Sequence, residues 1–238
     1  MLFALPIYAV GASWTPTQES LNIFYVAPNY NDSGLGTWTP TVGTTNLVGT
    51  AEPNPVAVGG APDCEASTDF PLGAAIDANT VWMPDPAHTL FCSIVLESVT
   101  RNSATPYLND GIISDNGQYC GIFLRNNVGT ITLYHYQWDT AVRVASVDVT
   151  SLLSSGSGLL IAQAKKEGGI LYIRAANATT TTGWVSGDAC GNLNSSAFHL
   201  RIGGATWTPD GIVKAVGVAS TAWSNETAEK FETWARRL

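Results

Sequence analysis

Positive charge is scarce in this chain. Lys and Arg together number 11 of 238 residues, against 19 Asp and Glu, and the formal net charge is −8. Holding nucleic acid or an anionic membrane surface takes clustered Lys and Arg, so the few spread along this sequence exclude both partners. Histidine is rarer still: His88, His135 and His199 stand apart, none beside a second His or a Cys in the sequence. The four cysteines at 64, 92, 120 and 190 form no Cys-x-x-Cys. On spacing alone a zinc site is not expected. No Gly-x-Ser-x-Gly accompanies the histidines, so a nucleophilic triad has no sequence support, and His135 and His199 read as polar residues on the outer face of a sheet. No apolar run reaches the ~20 residues that a membrane-spanning helix needs.

What the chain does have is turn-formers and apolar residues. Hydrophobic residues make up 45% and charged ones 13%, with 23 Gly and 12 Pro. That is a globular β composition, and the length suits one large sandwich. From residue 70 onward, short apolar segments recur with Gly or Asn turns between them: TLFCSIVLESV, GIISDNG, YCGIFLRN, GTITLYHYQWD, AVRVASVDV, GLLIAQAKKEGGILYIRAANA, FHLRIGG and GIVKAVGVAS. Asn126-Asn127-Val128-Gly129 and Lys166-Glu167-Gly168-Gly169 are hairpin signals. Before residue 70 the chain is Thr/Pro/Gly-rich, and Pro53, Pro55 and Pro62 argue against central-strand pairing there. Cys92 and Cys120 sit in apolar runs and read as buried thiols, whereas Cys64 and Cys190 lie in turn-rich stretches where a disulfide is open.

Two termini differ from this pattern. MLFALPIYAVGASW has the apolar run of a signal peptide without the positive charges before it, and Pro6 interrupts it, so it is expected to stay on the chain and pack on its own domain or on a partner subunit. At the other end Ser224 is placed to cap a helix with Glu226 in its first turn. Ala228, Phe231 and Trp234 or Ala235 follow at helical spacing, with Arg236 and Arg237 at the negative end.

The closing residues carry a resemblance. Ile202-Gly203-Gly204, a loop, Gly211-Ile212-Val213, a strand, and then Trp223-Ser224-Asn225-Glu226 opening a helix resemble the closing signature of laminin-G-like domains, in the concanavalin A-like lectin/glucanase superfamily. Asp32-Ser33-Gly34-Leu35-Gly36 resembles the early D-S-G-x-G-N turn of that family, with Thr37 in place of Asn. The run from Gly73 to Pro84 resembles its G-x-A-l-x-F-D-G-x-D-D-Y-v-x-v-P stretch, departing at the Phe, the Gly and the paired acids. The resemblance covers residues 21–238. It implies an all-β fold, a concanavalin A-like jelly-roll sandwich of two antiparallel sheets with a short C-terminal α-helix, preceded by an anchoring segment over residues 1–20.

The resemblance also frames the chemistry. Glucanases of this superfamily carry a Glu-x-Asp-x-x-Glu run whose two glutamates serve as nucleophile and acid; no such run occurs here, so no catalytic residues and no enzyme are expected. Many laminin-G-like domains hold calcium at the rim, which makes Asp77, Asp110 and Asp115 the metal candidates, although Asx-Gly turns need the same residues; beyond calcium, no cofactor is expected. In Leu133-Tyr134-His135-Tyr136-Gln137-Trp138 the apolar positions switch parity after Leu133. This means either a bulge or a strand buried on one face with aromatics lining the other. Tyr134, Tyr136 and Trp138 are therefore the candidates for binding a glycan or a protein partner, against the alternative of ordinary core or edge aromatics. The functional expectation is a structural or adhesive virion protein, such as a bacteriophage head decoration or tail-associated component. Its partners are other virion subunits, reached through the N-terminal segment in an oligomer or larger assembly, and cell-surface glycans. A secreted carbohydrate-binding or adhesion domain is the alternative, and a glucanase-like hydrolase comes third.

Overall fold

The structure, a computed structural model, describes residues 14–49, 55–64, 72–73, 87–99, 110–115, 120–192, 200–202 and 210–238. Both hairpins announced by turn residues form. β10 (Cys120–Asn127) and β11 (Thr130–Trp138) pair antiparallel from Asn127↔Thr130 to Cys120↔Gln137. Their turn requires left-handed backbone at Val128 (φ 50°) and Gly129 (φ 90°), and the Asn126 side chain accepts from Gly129 N at 2.9 Å. β13 (Gly158–Glu167) and β14 (Ile170–Ala176) form the second. Here strand pairing runs through Glu167, so the turn is Gly168-Gly169 alone, and Lys166, expected in the turn, is buried on the strand.

Eight strands form sheet A. Its order is β15 (Val185–Ala189), β14, β13, β8 (His88–Ser98), β17 (Asp210–Ala219), β6 (Ala61–Cys64) and β5 (Val56–Val58), while β1 (Leu21–Val26) pairs with the remaining length of β17. Nine strands form sheet B: β12 (Val142–Asp148), β11, β10, β9 (Asp110–Asp115), β16 (Leu200–Ile202), β7 (Leu72–Gly73), β4 (Leu47–Gly49), β3 (Thr37–Trp38) and β2 (Tyr30–Asn31). Every strand pairing among the described residues is antiparallel. Pro62 lies inside β6, but β6 joins β17 only at Asp63 and Cys64, after the proline, so Pro62 stays out of that pairing.

Alternation explains how the two sheets meet. Leu90, Cys92, Ile94 and Leu96 of β8, Leu160, Ala162 and Ala164 of β13, and Leu171, Ile173 and Ala175 of β14 face Ile122, Leu124, Ile131 and Leu133 of sheet B in one buried cluster. Each fully buried Leu or Ile contributes about 1.5–3 kcal/mol of transfer free energy. In β17 the inward set changes parity, from Val213 to Val216 and Val218, because the register with β8 shifts between Val213 and Ala215. The described residues include all four cysteines, and these are buried thiols with no disulfide among them.

The outer face of sheet A is not left to solvent. Phe24, Phe91, Ile161, Ala215 and Ala219 from four of its strands are covered by Trp223 and by α1 (Asn225–Ala235), through Ala228, Phe231 and Ala235. Trp223 stacks on Phe91 at 4.5 Å, and Phe231 meets Phe91 at 4.9 Å. Ser224 caps the helix, its hydroxyl accepting from Thr227 N at 3.2 Å. A buried ion pair lies under the same helix. Arg174 Nε donates to Glu232 Oε1 at 2.6 Å, with both side chains 3% exposed, and Gln163 Nε2 and Thr181 Oγ1 donate to the same oxygen at 3.3 and 3.2 Å. Among the described residues no helix is long and apolar enough to cross a membrane.

Candidate functional site

Strand β11 has two different faces. Its ladders with β10 and β12 run without a register break, so the parity change in LYHYQW is not a bulge. Ile131, Leu133, His135 and Gln137 point into the sandwich and are buried. Thr132, Tyr134, Tyr136 and Trp138 point outward. On the neighbouring strands Phe123 stands opposite Tyr134, Arg125 opposite Thr132, Val142 opposite Trp138, and Ser146 opposite Tyr134. Sheet B therefore carries an aromatic outer strip with a polar border.

The three aromatic candidates differ in what they can reach. Tyr134 and Trp138 are half-buried, while Tyr136 is 2% exposed and meets the edge of Phe123 at 5.9 Å and 82°. Tyr136 thus supports the strip rather than presenting a ring to a partner. Arg125 also belongs to this face, although no motif in the sequence marks it. Its Nε is buried and has no hydrogen-bond partner among the described residues.

A second cluster lies inside the sandwich. His88 on β8, Cys120 on β10 and His135 on β11 are each fully buried, and their ligand-type atoms all fall within 4.8 Å of one another. His135 Nδ1 lies 3.1 Å from Tyr172 O, and Cys120 Sγ lies 3.9 Å from His135 Nε2. The two histidine rings meet edge to face at 5.9 Å. Beside them Lys166 Nζ and Gln137 Nε2 both donate to Gly191 O, at 2.5 and 3.2 Å. Burial, then the neighbouring His88 and Lys166, lower the pKa of His135 to about 3 against the opposing bond to Tyr172, so its imidazole is neutral at ordinary pH. The inward position of His135 corrects the expectation of an outer-face histidine, and His199 lies outside the described residues. Asp139 closes this end of the strand. Its carboxylate accepts from Gly191 N at 2.8 Å, Ala141 N at 3.0 Å, Thr140 N and Arg143 Nε, which holds its pKa well below the usual carboxylate range.

Of the calcium candidates, Asp110 and Asp115 are the first and last residues of β9. Asp77 lies outside the described residues. One further acidic pair stands at the margin of sheet A. Burial, then the charge of Asp210, raise the pKa of Asp63, against the opposing charge of Lys214, and Ser98 Oγ donates to Asp210 Oδ2.

No family model matches the chain, and no curated protein matches its sequence. Solved structures do match. A Trypanosoma rangeli sialidase, in complex with 2-keto-3-deoxy-D-glycero-D-galacto-2,3-difluoro-nononic acid, superposes with a TM-score of 0.60 at 10% identity, over 92% of this chain and 33% of the sialidase. The receptor-binding domain of botulinum neurotoxin mosaic serotype C/D gives 0.58 at 12%, over 90% of this chain and 51% of that one. An arabinofuranosidase complexed with arabinofuranosyl-α-1,2-xylobiose gives 0.53 at 14%, over 84% and 50%. The likeness is one of fold.

The chain spans about a third of the sialidase and about half of the other two. The expectation that the protein is not an enzyme is corrected to this extent: parts of glycoside hydrolases share its fold, so the fold does not exclude catalysis. The reason is physical. A missing Glu-x-Asp-x-x-Glu excludes one way of placing two carboxylates, while acids from separate strands can reach the same geometry.

Proposed function

We propose that this chain is a carbohydrate-recognising sandwich of the concanavalin A-like, laminin-G-like jelly-roll class, and that its ligand lies along the outer face of sheet B. The observation that carries this reading is the unbroken register of β11. It sets Tyr134 and Trp138 in a row on one face, about 14 Å from end to end, with Arg125 at the border. Sugar rings present C–H faces that pack on aromatic faces, and their hydroxyl or carboxylate oxygens accept hydrogen bonds from a guanidinium. A strip of this length suits an oligosaccharide better than a single sugar. A glycan array probed with the wild type and with Trp138→Ala tests the proposal. Retained glycans that Trp138→Ala no longer binds support it, and an array with no retained glycan removes it.

Hydrolysis is the second reading, favoured by the pairing of Asp63 and Asp210. A carboxyl with a raised pKa beside a second carboxylate is the arrangement that divides acid and base roles in glycoside hydrolysis. Release of reducing sugar from a panel of polysaccharides and nitrophenyl glycosides, lost in Asp63→Asn and Asp210→Asn, supports this reading. No release from any of them removes it.

The setting we infer from the sequence resemblance is a virion surface, with residues 1–20 holding the domain to a neighbouring subunit; a secreted binding domain is the alternative. Deleting residues 2–13 should abolish incorporation into particles and leave a folded sandwich. Normal incorporation of the truncated chain contradicts the anchoring role.

A further inference from the structure

Three side chains from three strands, one in sheet A and two in sheet B, meet between the sheets, beside the buried Lys166 and Gln137. We propose that His88, Cys120 and His135 bind a late transition-metal ion, zinc(II) or copper(I), which ties the two sheets together from inside.

The geometry is close to that of a loaded site. Donors placed 2.0–2.3 Å from one ion are roughly 3.3–4 Å apart. Cys120 Sγ and His135 Nε2 already stand at 3.9 Å, and all donor atoms of the triad fall within 4.8 Å, so closing the site takes side-chain shifts of about 1 Å or less.

The tautomer of His135 is also set. Tyr172 O can only accept a hydrogen bond, so Nδ1 carries the proton and the Nε2 lone pair faces the thiol. A backbone carbonyl on the far nitrogen is the usual support of a metal-ligating histidine. Gln137, paired with Cys120 across the ladder on the same inward face, has a buried Oε1 with no hydrogen-bond donor among the described residues. One sulfur and two imidazoles select zinc or copper over magnesium or calcium, which prefer oxygen. The neighbouring Lys166 cation favours the ion of lower charge, since copper(I) with the Cys120 thiolate is neutral overall. Binding displaces the Cys120 thiol proton to solvent and leaves both imidazoles neutral.

The full chain is unfolded with a chelator and refolded in two arms, with cobalt(II) or zinc(II) and with copper(I) under reducing conditions. One ion per chain by native mass spectrometry, a thiolate charge-transfer band and a Tm raised by about 5–10 °C at hundredfold excess over Kd are expected in at least one arm. A cobalt signal assigns zinc, and a copper signal alone assigns copper(I). Cys120→Ala should lose the band while Cys92→Ala keeps it. If Cys120→Ala fails to fold, X-ray absorption of the loaded wild type should count one sulfur and two nitrogens. Folded wild type with no stoichiometric metal in either arm overturns the proposal, as does a metal site without sulfur.

Discussion

Replacing Glu232 by glutamine removes a charge from beneath helix α1 and leaves the Arg174 guanidinium buried without its main counter-charge. Three donors converge on Glu232 Oε1, and the strongest is Arg174 Nε at 2.6 Å. Breaking a buried ion pair from one side costs about 3–5 kcal/mol, because the orphaned charge stays out of water. Glu229 lies 3.8 Å from Arg174 Nη2 but is 65% exposed, so it compensates weakly. The expected loss for Glu232→Gln is therefore about 3 kcal/mol, or roughly 6–12 °C in Tm for a domain of this size. Urea unfolding followed by circular dichroism and tryptophan fluorescence measures it. The apolar pair Arg174→Met with Glu232→Leu should cost far less than the two single changes added together, since neither charge is then stranded. A loss below about 1 kcal/mol for Glu232→Gln, or simple additivity in the double variant, would refute the reasoning.

The remaining predictions probe separate parts of the molecule. Phe231→Ala removes a ring packed on Phe91 and Trp223 and should cost about 3–5 kcal/mol in urea unfolding, with the sheets retaining their circular dichroism. Ser224→Ala loses only the helix cap and should lower stability by about 1 kcal/mol. At Gly187 an added Cβ would overlap the backbone at Val144 O and Ala145 Cα, so Gly187→Ala should force β15 away from β12 and lower Tm more than Ser224→Ala does. Asp139 has a folded pKa below its unfolded one, so its contribution is complete above about pH 4 and fades as the pH falls. Asp139→Asn should accordingly lower Tm at pH 7, and the gap to wild type should narrow in thermal scans below pH 4.

Local features are legible in the amino-acid sequence. The Asn126–Gly129 and Gly168-Gly169 turns, the Ser224 cap and the helical spacing of Ala228 and Phe231 each depend on neighbours within a few residues. The outward row on β11 is only half legible, because Tyr and Trp count as apolar whichever face they take. Only the unbroken pairing with β10 and β12 separates an aromatic surface from a bulge. The buried cluster is barely legible. Cys120 and His135 meet across the β10–β11 hairpin, but His88 lies in the other sheet, and only the packing of one sheet on the other brings it to them. A hint exists in the inward parity shared by Ile131, Leu133, His135 and Gln137, but the outward aromatics mask it. Lys166 is hidden by the glycines after it, and Arg125 by the hairpin signal beside it.

The central claim is that the outer face of sheet B holds a glycan, and isothermal titration tests it most directly. The strongest glycan from the array is titrated into wild type and into the double variant Tyr134→Ala with Trp138→Ala. Two stacked rings contribute about 1–3 kcal/mol beyond their buried area, so the double variant should bind on the order of tenfold or more weakly with its fold intact. An unchanged Kd in the double variant would place the glycan elsewhere and contradict the account.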